Sequence, residues 1–172
     1  MKNILTLSKQ FAQKEYAKHD KNHQWNHVND VMKIALKLAK HYPKTDMEIL
    51  KLAIIFHDIT YKKYKTHVDQ SAKTAEKFLS KNNYPRERLN KLKNIIFAHS
   101  SPHRKKMGDA KLIEGKIIYD ADKFKLALIS KLYGEYYPQL YLKETKNIID
   151  ESAKKFSETI KSTDTQTKEQ IK

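Results

Sequence analysis

Residues 52–59, Leu52-Ala53-Ile54-Ile55-Phe56-His57-Asp58-Ile59, constrain this chain more than any other stretch. A run so apolar has to lie in a core, yet it carries an imidazole and a carboxylate side by side near its end. A buried carboxylate is unfavourable unless it is paired or holds a metal. Adjacent His and Asp at the end of a buried helix can both reach one cation, and both are common ligands of divalent metals. A lone His-Asp pair is more often a partly solvated helix end, so other residues have to decide between the two readings.

Three glycines, four prolines and abundant Lys, Leu, Ile and Ala in 172 residues point to helix rather than to a turn-rich β architecture. The absence of cysteine excludes disulfides, zinc-thiolate sites and thiol nucleophiles. The first ten residues are too short and polar for a signal peptide, and no run approaches a membrane span. The expectation is a cytoplasmic protein that does not meet a membrane. The formal charge of +15, from 35 Lys and Arg against 20 Asp and Glu, favours anionic partners. Much of that excess is Lys spread over every helix, as on a solvated face.

Apolar spacing predicts an all-α chain. The first helix spans residues 4–17. The next starts at His27, follows Val28, Val31, Met32, Ala35, Leu38, Ala39 and Tyr42, and is ended by Pro43. Thr45-Asp46-Met47-Glu48 reads as a capping box for a helix reaching His57-Asp58. Further helices follow from near His67 to Leu79, through Leu89, Leu92, Ile96 and His99, from Ile117 to Leu132, and through Ile149 to Ile160. Residues 19–26, 59–67, 100–109 and the aromatic segment 135–142 read as loops. One domain is expected over 1–160, with 161–172 a polar, disordered tail.

On these helices His27, His57, Asp58, His99 and Asp122 border apolar stripes, and His67 opens a helix. Any one of them is most often a satisfied core residue. Several on separate helices would leave many buried polar groups seeking partners at once, which a cation resolves.

The order His27, His57-Asp58, distant aspartate resembles the H…HD…D signature of the HD superfamily of metal-dependent phosphohydrolases. His23-Gln24-Trp25-Asn26-His27-Val28-Asn29-Asp30-Val31 is similar to the H-x-W-x-H-(I/V)-x-x-V opening of its small members. Ile95-Ile96-Phe97-Ala98-His99-Ser100 resembles their I-x-x-H-S element, and Tyr119-Asp120-Ala121-Asp122-Lys123-Phe124 their D-A-D-(K/R)-(L/F) element. The resemblance covers about residues 20–130.

It implies a helical bundle around a central divalent metal held by His27, His57, Asp58 and Asp122, with Asp120 the competitor of Asp122. On a helix those two aspartates point about 200° apart. Mn²⁺ or Mg²⁺ is expected; Fe²⁺, Co²⁺ and Ni²⁺ suit the same donors. The implied reaction is hydrolysis of a phosphoester or phosphoanhydride, in a nucleotide or small phosphorylated metabolite, through a metal-bound water. Asp58, His99 and His67 would act at the reaction centre. The two histidines would bind phosphate, carry the leaving-group proton or complete a second metal site that Asp58 bridges. Lys123, Lys62 and Arg104 are the expected phosphate-binding cations, with Lys65 and Lys105 nearby in sequence. His19, His23, His41 and His103 read as surface or supporting residues, His23 foremost. Guanosine tetraphosphate hydrolases carry Glu-Asp after the dyad; Thr60-Tyr61-Lys62-Lys63 here points away from alarmone hydrolysis. The alternatives are a di-iron oxygenase on this scaffold and a basic nucleic-acid-binding protein without enzymatic activity. The first predicts a visible iron absorption, the second a steep salt dependence.

Overall fold

The computed structural model describes residues 3–19, 24–61, 67–134 and 136–169. They form eight helices and no strand: α1 (Ile4–Tyr16), α2 (Trp25–Ala39), α3 (Met47–Phe56), α4 (His67–Lys81), α5 (Arg86–Ala98), α6 (Ser101–Met107), α7 (Ile113–Tyr133) and α8 (Lys143–Glu169). None is long and apolar enough to cross a membrane.

Helix α3 is the axis. Ile49, Leu50, Leu52, Ala53, Ile54, Ile55 and Phe56 are all buried, so it is apolar on every side, as a helix enclosed by others must be. Helices α1, α2, α4, α5 and α7 pack against it. Its C-terminal end therefore delivers His57 and Asp58 into the interior without a turn of solvated backbone to carry them outward.

The start of α3 differs from the expected capping box by one residue. Asp46, not Thr45, is the N-cap and accepts from the Ile49 N–H at 3.2 Å, while Thr45 Oγ1 donates to Tyr42 O at 2.7 Å. Glu48 turns instead to Arg88 and Tyr84, at 3.1 and 3.0 Å. Arg88 also donates to Asp46 at 3.0 Å. Buried Glu114 accepts from the Asp46 N–H at 2.9 Å and from Lys91 at 3.1 Å, which fastens the start of α7 to α3 and α5. Burial raises the Asp46 carboxyl, but the Ile49 N–H and the Arg88 and Lys91 charges overcome this and hold it below its ordinary range. A lowered folded-state pKa gives stability that is complete above about pH 4 and lost as pH falls through the depressed value. Thermal melts should therefore show Arg88→Ala losing less stability than the parent between about pH 5 and pH 3; equal losses would mean Arg88 does not set the Asp46 value.

Two other expectations need correction. Residues 101–107 are helical, not loop: Ser100 caps the turn by accepting from the His103 N–H, and Pro102 stands in the first turn, where its missing N–H costs nothing. Helix α8 runs to Glu169, beyond the point where the apolar stripe ends at Ile160. Extending a formed helix requires only one more hydrogen bond per residue fixed, so the polar stretch 161–169 continues it without an apolar stripe. Residues 170–172 lie outside the described residues.

Helix α7 approaches α5 closely at Gly115, where a Cβ would meet Ala98 Cβ at 3.0 Å and Ala110 Cβ at 3.2 Å. The strap of residues 136–142 leads to α8 and is tied to α7 by Ser130 Oγ, which donates to the Leu126 and Tyr136 carbonyls.

Candidate metal centre

Five elements bring their polar residues to one place. His57 is the C-cap of α3 and Asp58 follows it; His27 lies in the first turn of α2, His67 opens α4, His99 caps the end of α5, and Asp122 sits midway along α7. One donor atom from each of His27, His57, Asp58 and Asp122 lies within 4.8 Å of all the others, and the same holds for Asp58, His67 and His99. His27 Nε2 is 3.1 Å from both His57 Nε2 and Asp122 Oδ1, and 3.9 Å from Asp58 Oδ2; His57 Nε2 is 3.5 Å from that same oxygen. The other Asp58 oxygen, Oδ1, faces His67 Nε2 and His99 Nε2, each at 3.3 Å. Asp58 thus presents one oxygen to each group of side chains.

The tautomers follow from the backbone. His57 Nδ1 donates to Ile54 O at 2.8 Å and His99 Nδ1 donates to Ile96 O, so each ring turns its Nε2 into the cluster. Burial pulls the His57 imidazole down to about 4; the Asp58 carboxylate opposes this, and the His99 and His27 rings reinforce it. At neutral pH His57 is neutral, with the Nε2 lone pair turned into the cluster. Burial favours the neutral forms of Asp58 and Asp122 as well. For Asp58 the His57 and His99 imidazoles overcome it; for Asp122 the Lys123 ammonium and the His27 hydrogen bond do. Both carboxyls are held below their usual range. His27 is raised: burial lowers it, but Asp122 and Asp58 prevail. Lys123 Nζ donates to Asp122 Oδ2 at 2.6 Å, which leaves Oδ1 turned to the histidines.

The donor set fits a divalent ion. Two atoms that each lie about 2.1 Å from one cation are roughly 3–4 Å apart, the spacing found among these four side chains. Asp58 Oδ1 is buried, with His67 Nε2 and His99 Nε2 each 3.3 Å away. Lone pairs that converge with so few donors among them are the arrangement a cation completes. His27, Asp58, His67, His99, Asp122 and Lys123 line a cavity of about 190 Å³ together with Tyr61 and Ser100-Ser101-Pro102.

A family model of the HD domain matches residues 25–127, from the first turn of α2 to the middle of α7, which spans the whole cluster. The chain belongs to the HD domain family. The crystal structure of a predicted HD superfamily hydrolase from an uncultured Thermotogales bacterium has the same fold as this HD protein, with a TM-score of 0.69. The match covers 94% of this chain and 92% of that one at 18% identity. No curated protein matches the chain in sequence.

Not every expected residue reaches the centre of the HD fold. Asp120 is turned away: it is fully buried and accepts from the Tyr141 and Leu142 N–H groups, both at 2.8 Å, and from Thr145 Oγ1 at 2.7 Å, where it secures the strap and the start of α8. Arg104, expected to bind phosphate, lies outside the cavity. It donates to Asp109 and Gln139 O and stacks on Tyr141 at 3.9 Å, on a side of α6 about 200° round from Pro102. Lys105 and His41 are exposed, His19 meets the edge of Tyr16, and His103 stacks on Phe97. Lys62, Lys65 and His23 lie outside the described residues.

Sequence reasoning missed Tyr16, a fully buried residue of α1 whose hydroxyl accepts from the Asp58 N–H at 3.2 Å across 42 positions of sequence. It also missed Tyr61, whose ring stands 5.2 Å from that of His67 in the cavity wall. Tyr16→Phe should strand the Asp58 N–H and lower stability by about 1–2 kcal/mol in urea titrations. A change below a few tenths would show that the bond contributes nothing.

Proposed function

We propose that this HD protein is a metal-dependent phosphohydrolase that cleaves a phosphoester or phosphoanhydride bond in a nucleotide or small phosphorylated metabolite. The single observation that carries the reading is the convergence of His27, His57, Asp58 and Asp122 on one point, with two carboxylates, one buried and one partly buried, and no thiolate. A divalent ion bound there would acidify a water and polarise a phosphoryl oxygen. The protein's own groups supply the rest. His57 and His99 are locked by backbone carbonyls and keep Nε2 available. Asp122 is oriented by Lys123, the cation of the cavity wall best placed to meet a phosphoryl group. A cavity of about 190 Å³ holds a phosphoryl group and its immediate neighbours, so the remainder of a nucleotide would extend toward Tyr61. His99, near-buried and facing Asp58, is the group positioned to bind phosphate or to pass a proton to the leaving group.

The second triad, Asp58, His67 and His99, favours a two-ion variant of the same site, in which Asp58 is shared. A di-iron oxygenase is the alternative on that arrangement. Elemental analysis followed by a hydrolysis screen over nucleoside mono-, di- and triphosphates with added Mn²⁺ tests both. Phosphate release with a redox-inert ion supports the phosphohydrolase. A protein that carries two irons, absorbs in the visible and releases no phosphate overturns it.

A further inference from the structure

Helix α6 forms part of the wall of two cavities. Its Ser101 and Pro102 border the metal centre, and its next two residues, His103 and Arg104, border a second cavity of about 410 Å³ between α5, α6 and the start of α7. The second cavity is twice the size of the first and within the range of small-molecule sites. Its walls are built of flat groups. The His103 ring lies parallel to Phe97, 4.8 Å away at 12°, and the Arg104 guanidinium lies 3.9 Å above the Tyr141 ring. Phe97 is half-buried, with the His103 ring over one face. The rim carries the donors Asn94 and Lys111, while the acid of the rim, Asp109, is already occupied by Arg104. Stacking faces with donors at their edge suit a planar ring rich in acceptors, and the volume suits two fused rings with a sugar better than one ring alone.

We propose that this cavity is a second ligand site, taking a purine nucleoside, and that its occupancy is felt at the wall of the metal centre through α6. The route is short. Arg104 lies 5.1 Å above the Tyr119 ring, and the Tyr119 hydroxyl is 3.2 Å from Ser101 Oγ on the metal-centre side. A ligand that displaces His103 or Arg104 moves the same seven-residue helix that holds Ser101. This inference does not rest on the phosphohydrolase reading and survives its failure.

The probes are adenosine and guanosine, which have no phosphate to seek the metal centre, titrated calorimetrically into the full chain bearing Asp122→Ala. One equivalent should bind. Ala110→Trp, which fills the cavity, should weaken that binding at least about 10-fold. His103→Ala, which removes half of a stacked pair at a half-buried position, should weaken it at least about 5-fold and decides the matter if the tryptophan variant does not fold. In the parent protein the Ser100 and Ser101 amide resonances should shift on titration. If neither nucleoside binds, or if binding is unchanged in the folded variants, there is no such site. Unmoved serine resonances with the nucleoside bound would refute the communication through α6.

Discussion

Asp58→Asn is expected to yield a folded, helical protein whose divalent-metal affinity is at least about 100-fold below the parent's and whose turnover is undetectable. The substitution keeps the size of the side chain and removes its charge, so it spares the packing. Among the described residues Asp58 is the one shared by both candidate groups, with Oδ2 toward His27 and His57 and Oδ1 toward His67 and His99. Outer-shell partners of metal sites typically account for 10–100-fold in affinity, and a direct ligand exceeds that. The measurement is metal content after dialysis against a buffered Mn²⁺ series, with circular dichroism alongside. Parental metal content in the variant would remove Asp58 from the ligand set.

The second large effect has the opposite character. Asp120→Ala should lower stability by roughly 3–5 kcal/mol, because it leaves the Tyr141 and Leu142 N–H groups and the Thr145 hydroxyl in a buried place with no acceptor. For a chain of this size that is a fall in Tm on the order of 10 °C. Burial raises the Asp120 carboxyl, though the two backbone donors and Thr145 work against the shift, so the ion is kept at some cost because three donors converge on it. In the cold, where the variant is still folded, it should bind metal as the parent does. Two aspartates two residues apart would then separate cleanly, one by stability and its neighbour Asp122 by metal. If Asp120→Ala instead lost metal while keeping its Tm, the roles of the pair would be reversed.

The contrast between those aspartates was partly legible in the sequence. Helical geometry alone says that residues 120 and 122 point to different sides, and the shared stripe of Ile118 and Asp122 favours the latter. What residue 120 grips was not legible, since Tyr141, Leu142 and Thr145 approach it only once the strap has folded back. The apolar run of α3 and the histidines at helix edges were readable for a similar reason: each is set by local period and by the cost of burying charge. Residues defined by long-range contact were not. Tyr16 fits the apolar stripe of α1 whatever its hydroxyl does, and nothing local announces that Asp58 needs an acceptor there. The direction of Arg104 is not legible either, because residues 100–109 lack a helical period while a short helix decides which face each side chain takes. Ser100 followed by Pro102 was the available signal for that helix, a capping hydroxyl just before a first-turn proline.

Whether His27, His57, Asp58 and Asp122 hold a divalent ion is decided by anomalous diffraction from a crystal of the full chain grown with Mn²⁺. The account predicts an anomalous peak among His27 Nε2, His57 Nε2 and carboxylate oxygens of Asp58 and Asp122. A manganese-saturated crystal with no peak there, and with His27 and Asp122 simply hydrogen-bonded to each other, would contradict it.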